Sequence, residues 1–156
     1  MLKQLARLSN ETEGRYASSG ELQFIKDYID SVDTRISAYE KMQLAEAEII
    51  SKVAEIRSAA EPDLFAKVSQ VDGTTACRRD FTRILRHSAA ALLFDDHDRM
   101  PENFLLWYKT IVRTFKYDRA AGITYKVMQE VAQEYLTPQE SALLNPILHL
   151  NQVVLG

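Results

Sequence analysis

The chain's reactive chemistry is concentrated in Thr74-Thr75-Ala76-Cys77-Arg78-Arg79-Asp80-Phe81-Thr82-Arg83-Ile84-Leu85-Arg86. Cys77 is the single cysteine, which excludes an internal disulfide and a cysteine-rich zinc site. A helix that begins near residue 75 places Cys77 in its first turn. Unpaired backbone N–H groups and the positive helix end favour a thiolate there. Arg78 and Arg79 add positive charge, so the sequence predicts a lowered thiol pKa. Cys77, Asp80, Phe81 and Ile84 share one side of the helix. Arg79, Arg83 and Arg86 follow at spacings of four and three, as an adjacent basic stripe.

A nucleophilic sulfur, a carboxylate one turn on and a row of guanidinium groups suit an extended ligand with an electrophilic carbon, polar N–H groups and anionic arms. A linear tetrapyrrole, or bilin, has all three. Its ethylidene carbon can accept the thiolate, its pyrrole N–H groups suit Asp80, and its propionates suit bidentate arginines. The ordinary alternative is that an Arg-rich helix face is only solvated and a lone cysteine is a small buried hydrophobe.

The elements that must carry this segment read as helices throughout. Residues 3–13 form a short amphipathic pattern with Leu2, Leu5 and Leu8 on one face, interrupted at Gly14. Ser18 and Glu21 have capping-box spacing. Leu22, Ile25, Ile29, Val32, Ile36 and Tyr39 then recur at helical intervals, continued by Leu44, Ile49, Ile50 and Val53. This predicts one long helix, or two that bend near residue 46. Glu61-Pro62-Asp63 reads as a stop, residues 64–71 as a short connection and Asp72-Gly73 as a turn. Thr74 or Thr75 caps a helix over about 75–94, which Asp95-Asp96-His97-Asp98 ends. Further helices are expected over about 101–115, with Pro101 in the first turn, and over 119–135. A last one starts at Thr137-Pro138-Gln139-Glu140 with Thr as N-cap, Pro at N1 and Glu at N3. The reading is one all-α domain of seven to eight helices.

Composition agrees. The 156 residues are 46% hydrophobic and 26% charged, with only five Gly and four Pro, as in a soluble helical domain. The net charge of −3, with basic and acidic residues interspersed, argues against a general nucleic-acid binder. The start of the chain lacks the apolar core of a secretory signal, and no apolar run is long enough to span a bilayer. A cytoplasmic protein is expected. Trp107 is expected in the core, with a place beside a ligand or partner as the other reading. His87, His97 and His149 lack metal-site spacing. Asp95, Asp96 and Asp98 lack the Gly and distal Glu of a calcium loop. No nucleophile–base arrangement or phosphate loop points to an enzyme.

Cys77, Arg79, Asp80, Leu85 and Arg86 match Cys-x-Arg-Asp-x-x-x-x-Leu-Arg, which resembles the bilin-attachment helix of the phycobiliproteins, the allophycocyanins in particular. Arg15-Tyr16-Ala17-Ser18-Ser19-Gly20-Glu21-Leu22 resembles that family's Arg-Tyr-Leu-Ser-Pro-Gly-Glu-Leu segment. Thr137-Pro138-Gln139-Glu140 resembles the start of its final helix. The matches are collinear along nearly the whole chain.

The resemblance implies a globin-like fold with an N-terminal helical hairpin, residues 1–30, that docks on a partner, and a bundle over 31–156. It implies phycocyanobilin or a related linear tetrapyrrole on Cys77 by a thioether, Arg79 at a propionate and Asp80 at the central pyrrole nitrogens. Arg83 extends the candidate cofactor set. Arg86 would meet an acidic residue of a partner's hairpin, with Glu11 or Glu13 in the reciprocal role and Arg15 beside them. The implied partners are a second copy or a homologous subunit, in a dimer or larger ring, and other phycobilisome components. The implied location is the cytoplasm, at the thylakoid face. Arg83-Ile84 stand where the family commonly has aromatic residues. A divergent member that binds bilin non-covalently or not at all, and acts as a regulatory or interaction module, is the alternative.

Overall fold

A computed structural model describes residues 1–69, 73–97 and 104–156, with the side chains of 66–69 and 73–76 outside that description. Among the described residues seven α-helices follow one another: α1 (Leu2–Glu11), α2 (Gln23–Ala60), α3 (Pro62–Ser69), α4 (Gly73–Phe94), α5 (Leu106–Thr114), α6 (Asp118–Gln133) and α7 (Pro138–Leu155). No strand occurs among the described residues. Helices α2, α4, α6 and α7 pack on one another around the core. Ile49, Ile84, Leu85, Leu92, Leu105, Met128, Leu144 and Ile147 form its fully buried centre. The expected all-α globin-like architecture is the one found.

Helix α2 is a single helix of 38 residues, roughly 57 Å long at 1.5 Å per residue. Its buried side is Ala38, Met42, Ile49, Ile50 and Val53, at the spacing that returns every three to four residues to the bundle. The apolar stripe of its N-terminal half stays largely outside the core. Ile29 is 61% exposed and Ile36 42% exposed, and Leu44 also faces outward. Arg35 takes the buried position instead. Its guanidinium donates to the Leu92 carbonyl at 2.6 Å and to Asp95 Oδ1 at 2.8 Å, tying α2 to the end of α4.

The segment expected as a connection after Pro62 is helical. Pro62 both prevents α2 from continuing and suits the first turn of α3, where a missing N–H costs nothing. Asp63 in that turn opposes the helix dipole favourably. The expected turn at Asp72, the cap side chains of Thr74 and Thr75, and the placements of Asp98 and Pro101 lie outside the described residues.

The expected capping box at Ser18 forms one turn before α2. The Glu21 carboxylate accepts from the Ser18 amide at 2.8 Å, and Ser18 Oγ accepts from the Glu21 amide at 3.3 Å. The box at α7 forms as expected: Glu140 Oε2 accepts from the Thr137 amide at 2.7 Å, and Thr137 Oγ1 accepts from the Glu140 amide at 3.3 Å. Helix α5 ends at Lys116, held at φ 57°, with the Tyr117 amide reaching back to the Val112 carbonyl at 2.8 Å. Helix α1 buries none of its residues.

Candidate functional site

Four residues singled out by the sequence, Cys77, Arg79, Asp80 and Arg83, line one cavity of about 280 Å3. That is just below the usual range of small-molecule sites, roughly 300–1,000 Å3. All four come from α4, because the helical period returns Cys77 and Asp80 to one face and sets Arg79 and Arg83 at its edge. The opposite wall is aromatic. Trp107, Tyr108 and Phe115 come from α5 and its end, Tyr117 from the turn, and Tyr125 from α6. Phe81 adds a ring from α4 itself.

Asp80 is partly buried, and Arg79 Nε lies 3.4 Å from its Oδ1. Arg83 is exposed, with its guanidinium 5.9 Å from the centre of the Phe104 ring. A second, basic groove of about 540 Å3 adjoins the cavity and shares Arg79 and Arg83 with it, adding Arg86 and His87. An elongated ligand anchored at Cys77 can therefore leave an apolar cavity and run onto a cationic surface.

Three expectations about individual residues are corrected. Trp107 is not a core residue: it is 59% exposed at the cavity mouth, and Phe104 fills the buried place beneath it at 6.0 Å between ring centres. Cys77 is not in the first turn, since α4 starts at Gly73 and the sulfur sits one turn in, beyond the reach of the helix end. Its pKa is raised, not lowered. Burial pushes the thiol up, Arg57 pulls it down, and Asp80 adds to the rise.

Arg86 likewise finds its carboxylate within its own chain. Its Nε donates to Glu46 Oε2 at 2.6 Å and its Nη2 to Oε1 at 2.7 Å. Glu11, Glu13 and Arg15 lie on α1 and the following turn, apart from the cavity. Glu11 pairs with Arg7 at 3.2 Å, and Arg15 with Glu21 at 2.7 Å.

Sequence reasoning missed Arg57. It stands in the last turn of α2, only 8% exposed, and borders the cavity beside Cys77. It also missed the pair of hydroxyls on the far wall. Tyr125 is wholly buried, and its Oη has no hydrogen-bond partner among the described residues. Burial drives its pKa far up, and Tyr108 and Asp80 push in the same direction, so this hydroxyl stays protonated. Burial raises Tyr108 as well, with Asp80 adding to it. The cavity therefore presents phenol donors, one carboxylate and several guanidinium groups together.

The sequence model described as phycobilisome protein matches residues 8–152, nearly the whole chain. With the helical bundle, that match places the chain in the phycobilisome protein family. Among curated proteins it is similar to the allophycocyanin subunit beta-18 of Picosynechococcus sp., with 31% identity over 98 residues. The alignment covers 61% of this chain and 58% of that relative. Among the described residues, no helix is long and apolar enough to cross a membrane.

Proposed function

We propose that the chain is a light-harvesting subunit carrying a linear tetrapyrrole, phycocyanobilin or a close relative, as a thioether on Cys77. The observation behind this reading is that Cys77, Arg79, Asp80 and Arg83 share one aromatic-walled cavity that opens onto a basic groove. The residues fit the pigment's chemistry. Cys77 offers the sulfur, Asp80 a carboxylate for pyrrole N–H groups, and Arg79 and Arg83 guanidinium groups for propionates. The pigment supplies absorption and excitation transfer when bound. The chain's residues hold it, restrict its motion and set the charge around it. Asp80 stabilises positive charge on the pyrroles and so shifts the colour. The role is that of a carrier, not a catalyst.

Attachment is an addition. The Cys77 S–H bond breaks and its proton passes to water. Cys77 would supply the sulfur for a C–S bond to the pigment, and water would supply the proton that completes the addition. One S–H adds across one carbon–carbon double bond, and nothing is oxidised or reduced.

The partner is a second copy or a homologous subunit, and the contact face is α1 with the first half of α2. Leu2, Leu5, Ile29 and Ile36 are exposed there, and exposed apolar helix faces are ordinarily covered by a partner. The location that goes with this role is the cytoplasm, at the thylakoid face with the phycobilisome.

Co-production with a bilin-synthesis pathway and a lyase tests the reading. Denatured wild type is expected to keep the pigment and Cys77→Ala to lose it. Denatured wild type without covalent pigment overturns it. A second reading, a regulatory or interaction module with loosely bound or no pigment, draws on the raised pKa of the Cys77 thiol. Under that reading native protein loses all colour on denaturation, or has none.

A further inference from the structure

Arg57, Arg79 and Arg83 border the cavity, and of these only Arg57 is buried. The central carbon of its guanidinium lies 4.7 Å from the ring centre of Phe65 and 4.4 Å from that of Phe81. Its Nε is buried without a hydrogen-bond partner, and no side chain among the described residues forms an ion pair with it. A cation taken out of water without a counter-ion is strongly disfavoured. Cation–π attraction to the two rings recovers only part of that loss.

Phe81 connects this cation to a second unsatisfied group. The Tyr125 ring stands edge-on to Phe81, at 6.3 Å between centres. Tyr125 lines the same cavity, and its buried Oη has no partner among the described residues. Two buried donors thus border one cavity, and neither has an acceptor. The neighbouring groups do not supply one. Asp80 pairs with Arg79 at 3.4 Å, and burial keeps the Cys77 thiol and the Tyr108 hydroxyl protonated.

We propose that Arg57 and Tyr125 form a carboxylate site in this cavity, for a monoanionic ligand whose remaining body is apolar. The lining sets the class. Trp107, Tyr108 and Phe115 offer rings to an apolar body. A planar carboxylate matches the edge of a guanidinium group. One negative charge balances the one uncompensated cation. A dianion such as phosphate would bring surplus charge into the space that Asp80 borders. The site goes beyond the proposed function, because it needs no bond to Cys77. The carboxylate can belong to a free small molecule or to one arm of a bilin, which leaves Arg79 and Arg83 for the other arm.

The test is calorimetric titration of pigment-free protein with 2-naphthoate, and with 2-naphthamide as its uncharged counterpart. The naphthoate is expected to bind about tenfold tighter than the amide. Arg57→Gln is expected to weaken the naphthoate about tenfold and to leave the amide within about twofold. Arg113→Gln removes the same charge from an exposed place in the last turn of α5. It leaves both ligands within about twofold, which separates a local contact from a general charge effect. Tyr125→Phe keeps the ring and weakens the naphthoate about threefold. It gives an independent reading should Arg57→Gln fail to fold.

Biliverdin and its dimethyl ester, titrated into Cys77→Ala protein with and without Arg57→Gln, distinguish the two sources. A loss for biliverdin but not for the ester assigns the site to a bilin arm. A loss for 2-naphthoate with biliverdin unaffected assigns it to a free carboxylate. Equal binding of naphthoate and amide, or a folded Arg57→Gln that holds naphthoate as the wild type does, overturns the proposal. Failure here is distinguishable from failure of the pigment reading. Arg57-dependent naphthoate binding in a protein that never takes covalent bilin keeps this site and removes the pigment. Covalent bilin on a protein that binds naphthoate no better than the amide does the reverse.

Discussion

Arg86 and Glu46 form a two-pronged pair between α4 and α2 of the same chain, with Nε–Oε2 2.6 Å and Nη2–Oε1 2.7 Å. The guanidinium expected to meet a partner is therefore satisfied at home, and it is spread over the surface of its own bundle. The exposed Ile29, on the other hand, has nothing over it within the chain. Self-association should therefore respond to Ile29 and not to Arg86. In sedimentation velocity, Ile29→Glu is expected to weaken the dimer at least tenfold, which corresponds to about 1.4 kcal/mol. Arg86→Ala leaves it within about twofold and changes the stability of the fold little, as for other exposed ion pairs. A dimer lost on Arg86→Ala but kept on Ile29→Glu would reverse the assignment of the contact face.

Trp107 is the only tryptophan in the chain and stands at the mouth of the cavity. Its emission is a direct report of filling, because a conjugated ligand against the indole quenches it. Adding bilin to Cys77→Ala protein should quench Trp107 reversibly, with colour that is lost on denaturation. The wild type should be quenched under the same conditions and keep its colour. Arg83→Ala is expected to weaken the reversible binding by about 1–3 kcal/mol, the scale of a lost charge-assisted contact. Unchanged Trp107 emission at saturating bilin would remove the cavity as the pigment site.

What was legible in the sequence and what was not divides along physical lines. The caps at Ser18–Glu21 and Thr137–Glu140, and the α4 face carrying Cys77 and Asp80, are local. Their geometry follows from spacing within a turn or two, and the structure repeats it. Helix α3 was hidden because a proline that ends one helix can open the next. The apolar stripe through Ile29 and Ile36 has the right period for a core. Period says only that a face is covered, not whether this chain or a partner covers it. Arg57 left no signal, since its rings come from residues 65 and 81 and meet only after α2, α3 and α4 are packed. The aromatic wall of the cavity likewise joins α5 and α6 to α4 across long stretches of chain. Local pattern found the chemistry on one helix; the cavity depended on tertiary packing.

Lys116 closes α5 in the left-handed region at φ 57°. A side chain there costs about 1–2 kcal/mol relative to a residue without a Cβ, and glycine is the usual occupant of such a helix end. Lys116 is exposed, so little contact is lost with it. Part of the gain is offset by the greater freedom of glycine in the unfolded chain. Lys116→Gly is expected to raise stability by about 0.5–1 kcal/mol, read as a higher denaturation midpoint with an unchanged slope. Lys116→Val should lower it.

Glu140 governs the acid side of stability. Burial alone would raise its pKa. Lys41 Nζ at 2.7 Å, Ser37 Oγ at 2.7 Å and the Thr137 amide at 2.7 Å overcome this and hold the carboxyl at about 2, below its ordinary 4.5. A depressed folded-state pKa means that the unfolded chain takes up the proton first as pH falls. The contribution is therefore complete above about 4.5 and fades between about 4.5 and 2. Glu140→Gln keeps a polar group in the box but cannot accept from Lys41 as an anion. It is expected to lose about 2 kcal/mol at neutral pH, the scale of hydrogen bonds to a charged group, and to flatten the decline of stability across that window. Lys41→Met keeps the carboxylate but removes its cation, so it should move the decline to higher pH. Denaturant midpoints from neutral pH down to about 2 for the three proteins decide it. Parallel curves for wild type and Glu140→Gln would mean that another carboxylate sets the acid limit.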